Sequence, residues 1–500
     1  MIFRNSLAVS AAMLSGYVFS FVLAPIMLAR LGLAQFGVWA VTGAFATYAG
    51  LMDLGVTRAL GRFVALYDTQ GNRRAVEQLF GLGLVVVCVV ATLSAVVSLA
   101  VAPFAASALG DVLTASEMRS LLLAAVAIFS LNLLRSVIRS VPEGMQQMVP
   151  IQVAEVANNT INFTFSVIAL ALTRDVVVYA YANAAASLVA LGPSVYAARR
   201  VWSPVRARVP QRGLVREVLG FSVKSQLSWI GDLVNNQTDK IIIAVFLDVR
   251  LAGAYEIANR VVVAVKSVAV LSVSAMVPAA TSRIESEGRA IIGHFYRRYT
   301  ARSLAVALPL MTFCCVSAPA LMTAWLGDVP QHAIEIFVLL TAANAVNLTT
   351  GVAFSISLGE GKAGMIAAVS GITVGLNVLF TVALTPLFGL WGVIAGTMIA
   401  IVGGCTIFLV HFHRSHGIPG ADYARAAGIP AAAALAAGAP IVVTLALAGF
   451  EQLERWPALV ASAAFLLVYV TAYWPIATRL DILPTRLSLH AFRRAPVSRT

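Results

Sequence analysis

From Leu79 to Gly110 the chain carries no charged side chain at all. A helix facing water needs a polar face, so a long segment without one is surrounded by something apolar. This stretch exceeds the ~20 residues that cross about 30 Å of hydrocarbon. Blocks of the same character recur along all 500 residues. Hydrophobic residues make up 60% of the chain and mean hydropathy is +0.87, against roughly 45–50% apolar residues in soluble domains. No hydrophilic stretch leaves room for a soluble domain. The first block, Leu7–Leu28, follows Arg4 but is too long for a signal-peptide core, and a second block follows at once; it is expected to be a retained helix. Cys88, Cys314, Cys315 and Cys405 all lie in apolar blocks without metal-ligand spacing and are expected to be core residues.

The chain is therefore expected to be an all-α polytopic membrane protein. Spans are placed at about 7–29, 35–57, 79–101, 118–140, 149–172, 176–198, 218–246, 251–279, 301–324, 332–358, 363–385, 389–411, 426–449 and 456–478, fourteen in all. With the N-terminus inside, the inner segments hold 26 Lys and Arg and the outer segments five: Arg30, Arg119, Arg174, Arg250 and Arg455. That asymmetry puts both termini in the cytoplasm. It also accounts for the net charge of +13 as an orientation device, which removes nucleic acid as a partner.

A repeat underlies the spans. Leu31, Gly37 and Trp39 match Leu247, Gly253 and Tyr255 at an offset of 216; Gly71 matches Gly288, and Glu143–Gly144 match Glu360–Gly361, at 217. Six spans separate equivalents, so the halves share one orientation and form parallel repeats about an axis along the membrane normal. The expected organisation is a six-helix lobe over 1–198, a basic cytoplasmic linker over 199–217, and a second six-helix lobe over 218–411. Two additional transmembrane helices over 412–478 and a basic cytoplasmic tail over 479–500 follow.

Charge inside the spans is the functional signal. A charged residue at the centre of a lipid-facing helix costs about 2.5–3.5 kcal/mol on insertion scales, so it faces protein or water. Lys224, Ser228, Asp232, Asn235 and Asp239 fall within one arc of about 80° at ~100° per residue. Glu256, Arg260, Ser267 and Ser274 share a stripe, as do Gln152, Glu155, Asn159, Asn162 and Ser166, and Asn132, Arg135, Ser136 and Arg139. Polar glue between packed helices explains one or two such stripes; four, with both signs of charge, point to a hydrated central cavity between the repeats. Arg135, Arg139 and Lys224 lie towards the inner end, with Asp232 and Asp239 deeper, a gradient that suits a phosphate-bearing substrate entering from the cytoplasm. The substrate-binding set is thus Arg135, Arg139, Glu155, Asn159, Lys224, Asp232, Asn235, Asp239, Glu256 and Arg260. Lys240 falls off the stripe and is set aside. Arg58 and Arg62 either join the inner basic group or snorkel to head groups. No catalytic residue or metal site is expected. GEGKAG at Gly359–Gly364 lacks the strand that a nucleotide loop needs, and His411, His413 and His416 are expected to be interfacial.

LGLAQFGVWAVTGAFATYAGLMDLGVTRALGRFVA at Leu31–Ala65 and TDKIIIAVFLDVRLAGAYEIANRV at Thr238–Val261 resemble the bacterial polysaccharide-biosynthesis flippases, of the O-antigen and capsule type, in the multidrug/oligosaccharidyl-lipid/polysaccharide exporter superfamily. The likeness covers about residues 1–415. It implies alternating access by a non-enzyme that moves a lipid-linked oligosaccharide, usually on undecaprenyl pyrophosphate, from the inner to the outer leaflet. It implies the cytoplasmic membrane, a role in lipopolysaccharide or exopolysaccharide synthesis, and partners among membrane lipids and the polymerase and glycosyltransferases of the pathway. Arg30 and Asp53 are further candidates. No cofactor is expected; coupling to a proton or sodium gradient or to the membrane potential is, with Asp232, Asp239 or Glu256 as the ion site. The alternative reading is a cation-coupled drug or toxin antiporter of the same superfamily. A membrane glycosyltransferase ranks below it, because the outer connections are short and carry no paired acidic motif.

Overall fold

A computed structural model describes residues 2–110, 112–203, 206–274, 291–448 and 454–480. Among these there are seventeen α-helices, one short 3-10 turn and no strand, so the expected all-α class is what the chain adopts. Contacts group it into two compact units, Met1–Arg260 with Ser370–Ala400, and Val261–Val369 with Ile401–Thr500.

The first unit opens with α1 (Ile2–Ala49), whose run breaks at Gly32, φ 74° and ψ 167°, a backbone state that only glycine adopts without strain. A 3-10 turn at Gly50–Asp53 leads into α2 (Val56–Thr69) through Leu54 and Gly55, both left-handed. α3 (Arg73–Ala108) is capped by the Asn72 side chain, which accepts from the Ala75 N–H at 3.1 Å. α4 (Ala115–Gly144) starts in a Thr114/Glu117 capping box. α5 (Met148–Leu172), α6 (Val176–Val189), α7 (Leu191–Val201), α8 (Arg212–Phe246) and α9 (Val249–Ser274) follow. Asp175 caps α6 by accepting from the Val177 N–H at 2.6 Å, which makes the three-residue connection at Arg174 a true break. Later come α10 (Ile292–Val316), α11 (Ala318–Leu326), α12 (Ala333–Leu348), α13 (Gly351–Gly359), α14 (Ala363–Phe388), α15 (Leu390–His416), α16 (Gly420–Ala448) and α17 (Arg455–Arg479).

Among the described residues nine helices are long and apolar enough to cross a membrane, or ten if the bent pair α12–α13 is one span. The difference from fourteen has three sources. The first two predicted spans are two helices that meet at the Gly32 kink with no intervening loop and so count as one run. In addition, α5 and α8 carry polar and charged stripes that lower their apolarity, and α9 is counted only over its described residues.

Gly37 on α1 and Gly253 on α9 meet in the first unit. A Cβ on Gly37 would lie 2.0 Å from the Val249 carbonyl oxygen and 3.3 Å from the Gly253 nitrogen; a Cβ on Gly253 would lie 3.3 Å from the Gly37 Cα. The crossing of α1 and α9 is closed by two glycines because backbone sits where a side chain would be.

Candidate functional site

Three polar groups occupy the first unit. In the first, Glu155 on α5 stands between two arginines of α4: Arg139 Nη1 donates to Oε2 at 2.5 Å and Arg135 Nη2 lies 3.6 Å from Oε1. Arg139 also forks onto Glu143 Oε1, from Nη2 at 2.8 Å and Nε at 3.1 Å. Positions 135 and 139 are one turn apart, so both guanidiniums reach the same neighbouring helix. Arg135 is held only at ion-pair distance and keeps donors for a ligand.

The second group joins α8 to α9. Lys240 Nζ donates to Glu256 Oε2 at 2.5 Å, and Arg260 Nε to Glu256 Oε1 at 2.9 Å. The Arg260 guanidinium also sits 5.5 Å from the Phe36 ring centroid, within cation–π range. Lys240 belongs to the constellation although its Cα lies off the α8 stripe. Its four-carbon stem crosses the angular gap that excluded it.

The third group surrounds Asp239, which is fully buried. Its Oδ2 accepts from Tyr255 OH at 2.7 Å and Thr397 Oγ1 at 2.7 Å, and Asn377 Nδ2 donates to Thr397 Oγ1 at 3.1 Å. Asn377 and Thr381 stand one turn apart on α14, brought against α15 because Gly396 is bare: a Cβ there would lie 2.5 Å from the Thr381 nitrogen. Asp239 Oδ1, Asn377 Oδ1 and Thr381 Oγ1 are buried without a hydrogen-bond partner. Each orphaned oxygen carries a desolvation cost. One carboxylate with neutral oxygens suits a monovalent cation. Among the described residues no group of three His, Cys, Asp or Glu forms a transition-metal site.

The remaining candidates divide. Asn159 spends its amide on Ala12 O at 3.2 Å and Ser15 Oγ at 3.0 Å, joining α5 to α1. Lys224, Asp232 and Asn235 lie on α8, but their side chains are outside what is described. Asp53 is buried with Oδ1 unpartnered, while Arg30 is exposed. Arg62 stacks on Phe221 at 3.9 Å from the ring centroid. His413 Nε2 meets Tyr296 OH at 2.9 Å and His416 Nε2 meets Glu360 Oε2 at 2.9 Å; each histidine has a protein partner. GEGKAG forms the turn between α13 and α14, with Gly361 at φ 76°. Thr397, Asn377 and Thr381 were not singled out in the sequence. The signal was a neutral stripe on α14, Ser370, Thr373, Asn377, Thr381 and Thr385, at helical spacing.

Comparison with solved structures places this architecture. The lipid II flippase MurJ, in an inward closed conformation, superposes with a TM-score of 0.69 at 14% identity, over 96% of this chain and 100% of that one. A multidrug resistance MATE family transporter of the MOP superfamily, inward-facing, gives 0.61 at 15% identity, over 83% of this chain and 98% of that one. An outward-facing MATE transporter gives 0.52 at 17%, over 83% and 95%. Comparison with curated protein sequences gives no match. The family model described as polysaccharide biosynthesis protein matches residues 2–284, more than half of the chain. This multi-span helical chain therefore belongs to the polysaccharide biosynthesis protein family, with the fold shared by the MurJ flippase and the MATE transporters of the MOP superfamily.

Proposed function

We propose that the protein flips an anionic lipid-linked oligosaccharide, carried on a polyprenyl pyrophosphate such as undecaprenyl pyrophosphate, from the inner to the outer leaflet of the cytoplasmic membrane. The observation that carries this reading is the state of its half-buried glutamates. Glu155 lies between Arg135 and Arg139, and Glu256 between Lys240 and Arg260. Each acid is bracketed by two cations, so neither is left to hold a cationic drug, while basic donors remain for phosphate. The family membership supports a polysaccharide precursor as cargo, and the inner excess of Lys and Arg supports both termini in the cytoplasm. The pathway's glycosyltransferases would supply the substrate and its polymerase would consume it.

Asp239 is the coupling site in this reading, binding a monovalent cation with Asn377, Thr381 and Thr397. Glu256 is already neutralised by its two partners. An inside-negative potential adds about 2.3 kcal/mol per elementary charge per 100 mV to outward movement of an anion. The test is a cell that depends on this protein for surface polysaccharide. Arg135→Ala with Lys240→Ala should leave lipid-linked glycan in the inner leaflet at normal protein level. Undiminished export, or a gain of resistance to cationic drugs on overexpression of the wild type, would overturn the reading.

A further inference from the structure

We propose that the cytoplasmic end of α8 is a binding site for a bilayer anionic phospholipid, separate from the cargo-binding charges. Arg212, Arg216 and Gly220 recur every fourth residue and so form one stripe, with Val215, Leu219 and Val223 beside it. Together with Pro210 they line a shallow, open groove of about 650 Å³ along this one face of α8. Its floor is Gly220, around which a Cβ would meet nothing within 4 Å. The surface beside the two arginines is apolar. Both arginines are exposed, and no acidic side chain lies within ion-pair distance of either among the described residues. The nearest carboxylate in sequence, Glu217, is turned away and accepts from Tyr67 OH at 3.0 Å.

The chemistry fits one occupant. A phosphodiester is bound by two guanidiniums one turn apart, and an acyl chain lies along the apolar stripe of Val215, Leu219 and Val223 beside them. A soluble anion would use the arginines and leave the apolar stripe uncovered; a zwitterionic lipid would gain less from two cations. Charge and shape together select a lipid with a net negative head group, placed at the inner interface where the linker Arg199–Arg216 begins to enter the membrane.

The test uses the full-length protein in lipid micelles, with retained phosphatidylglycerol and phosphatidylcholine measured by native mass spectrometry. Wild type should hold phosphatidylglycerol in preference to phosphatidylcholine. Arg212→Ala with Arg216→Ala should weaken that binding about thirty-fold, and Arg212→Lys with Arg216→Lys should keep most of it. Gly220→Leu fills the floor without changing charge, folds because the space is open, and should also lose the lipid. Equal retention of the two lipids, unchanged binding in the double alanine variant, or full binding by Gly220→Leu would overturn the proposal. So would displacement of phosphatidylglycerol by sub-stoichiometric undecaprenyl phosphate, which would make the groove a cargo site.

Discussion

Replacing Lys240 by Met removes a charge at nearly constant volume, and the structure sets the outcome through what stays behind. Side-chain exposure is 7% at Lys240, 12% at Glu256 and 24% at Arg260. Breaking a buried pair by removing one partner costs about 3–5 kcal/mol, because the other charge is left uncompensated. Here Glu256 keeps Arg260 at 2.9 Å, so Lys240→Met should fall at or below the low end of that range. Glu256→Gln is the harsher change, since it leaves Lys240 and Arg260 as two facing cations. Combining the two leaves one cation, still stacked near Phe36. The expected order of stability is wild type, Lys240→Met, the double variant, then Glu256→Gln, with non-additivity of about 1–3 kcal/mol. Denaturant unfolding in detergent, followed for all four proteins, supplies the double-mutant cycle. Additive losses, or a Glu256→Gln protein as stable as Lys240→Met, would refute the shared-anion geometry.

Further outcomes follow from other parts of the chain. Asp239→Asn should retain the Tyr255 and Thr397 contacts and the fold while abolishing dependence of transport on the coupling cation; a variant with wild-type ion dependence would remove Asp239 from that role. Gly37→Val should prevent close crossing of α1 and α9, because backbone occupies the Cβ position, at an overpacking cost of about 1–3 kcal/mol or more. Gly43→Val, with open space at its Cβ, should be tolerated in a thermal-unfolding assay that shows a marked loss for the first. At Glu360, outside the membrane spans, burial raises the carboxyl pKa, but hydrogen bonds and charge from Lys362 and His416 outweigh it and hold it below the ordinary carboxylate value. A depressed folded-state pKa stabilises above the unfolded value of about 4.3, and that contribution is lost as pH falls through the folded one. Glu360→Gln should flatten this acid limb of the stability–pH curve, and an unchanged limb would assign it to other groups.

The membrane class was legible because a lipid-exposed helix has few residue types to choose from, and the uncharged run Leu79–Gly110 admits no other solvent. The Arg135, Arg139 and Glu155 group was legible for a similar reason, since charges inside spans must face one another or water. Three features were not. Lys240 was hidden because angular reasoning places Cα atoms, and a long flexible side chain reaches beyond its own arc. Asn377, Thr381 and Thr397 were hidden because neutral residues cost little in an apolar span and raise no alarm. The break at Gly32 falls in the connection expected between the first two spans, whereas the bend between α12 and α13 was hidden because local backbone choice leaves no trace in hydropathy.

Reconstituted transfer between leaflets tests the central claim most directly. Purified protein in proteoliposomes, with a fluorescent oligosaccharide on undecaprenyl pyrophosphate, should move label between leaflets, and Arg135→Ala with Lys240→Ala should abolish that movement. Protein-dependent transport of a cationic dye, with the lipid-linked glycan left in its original leaflet, would contradict the account.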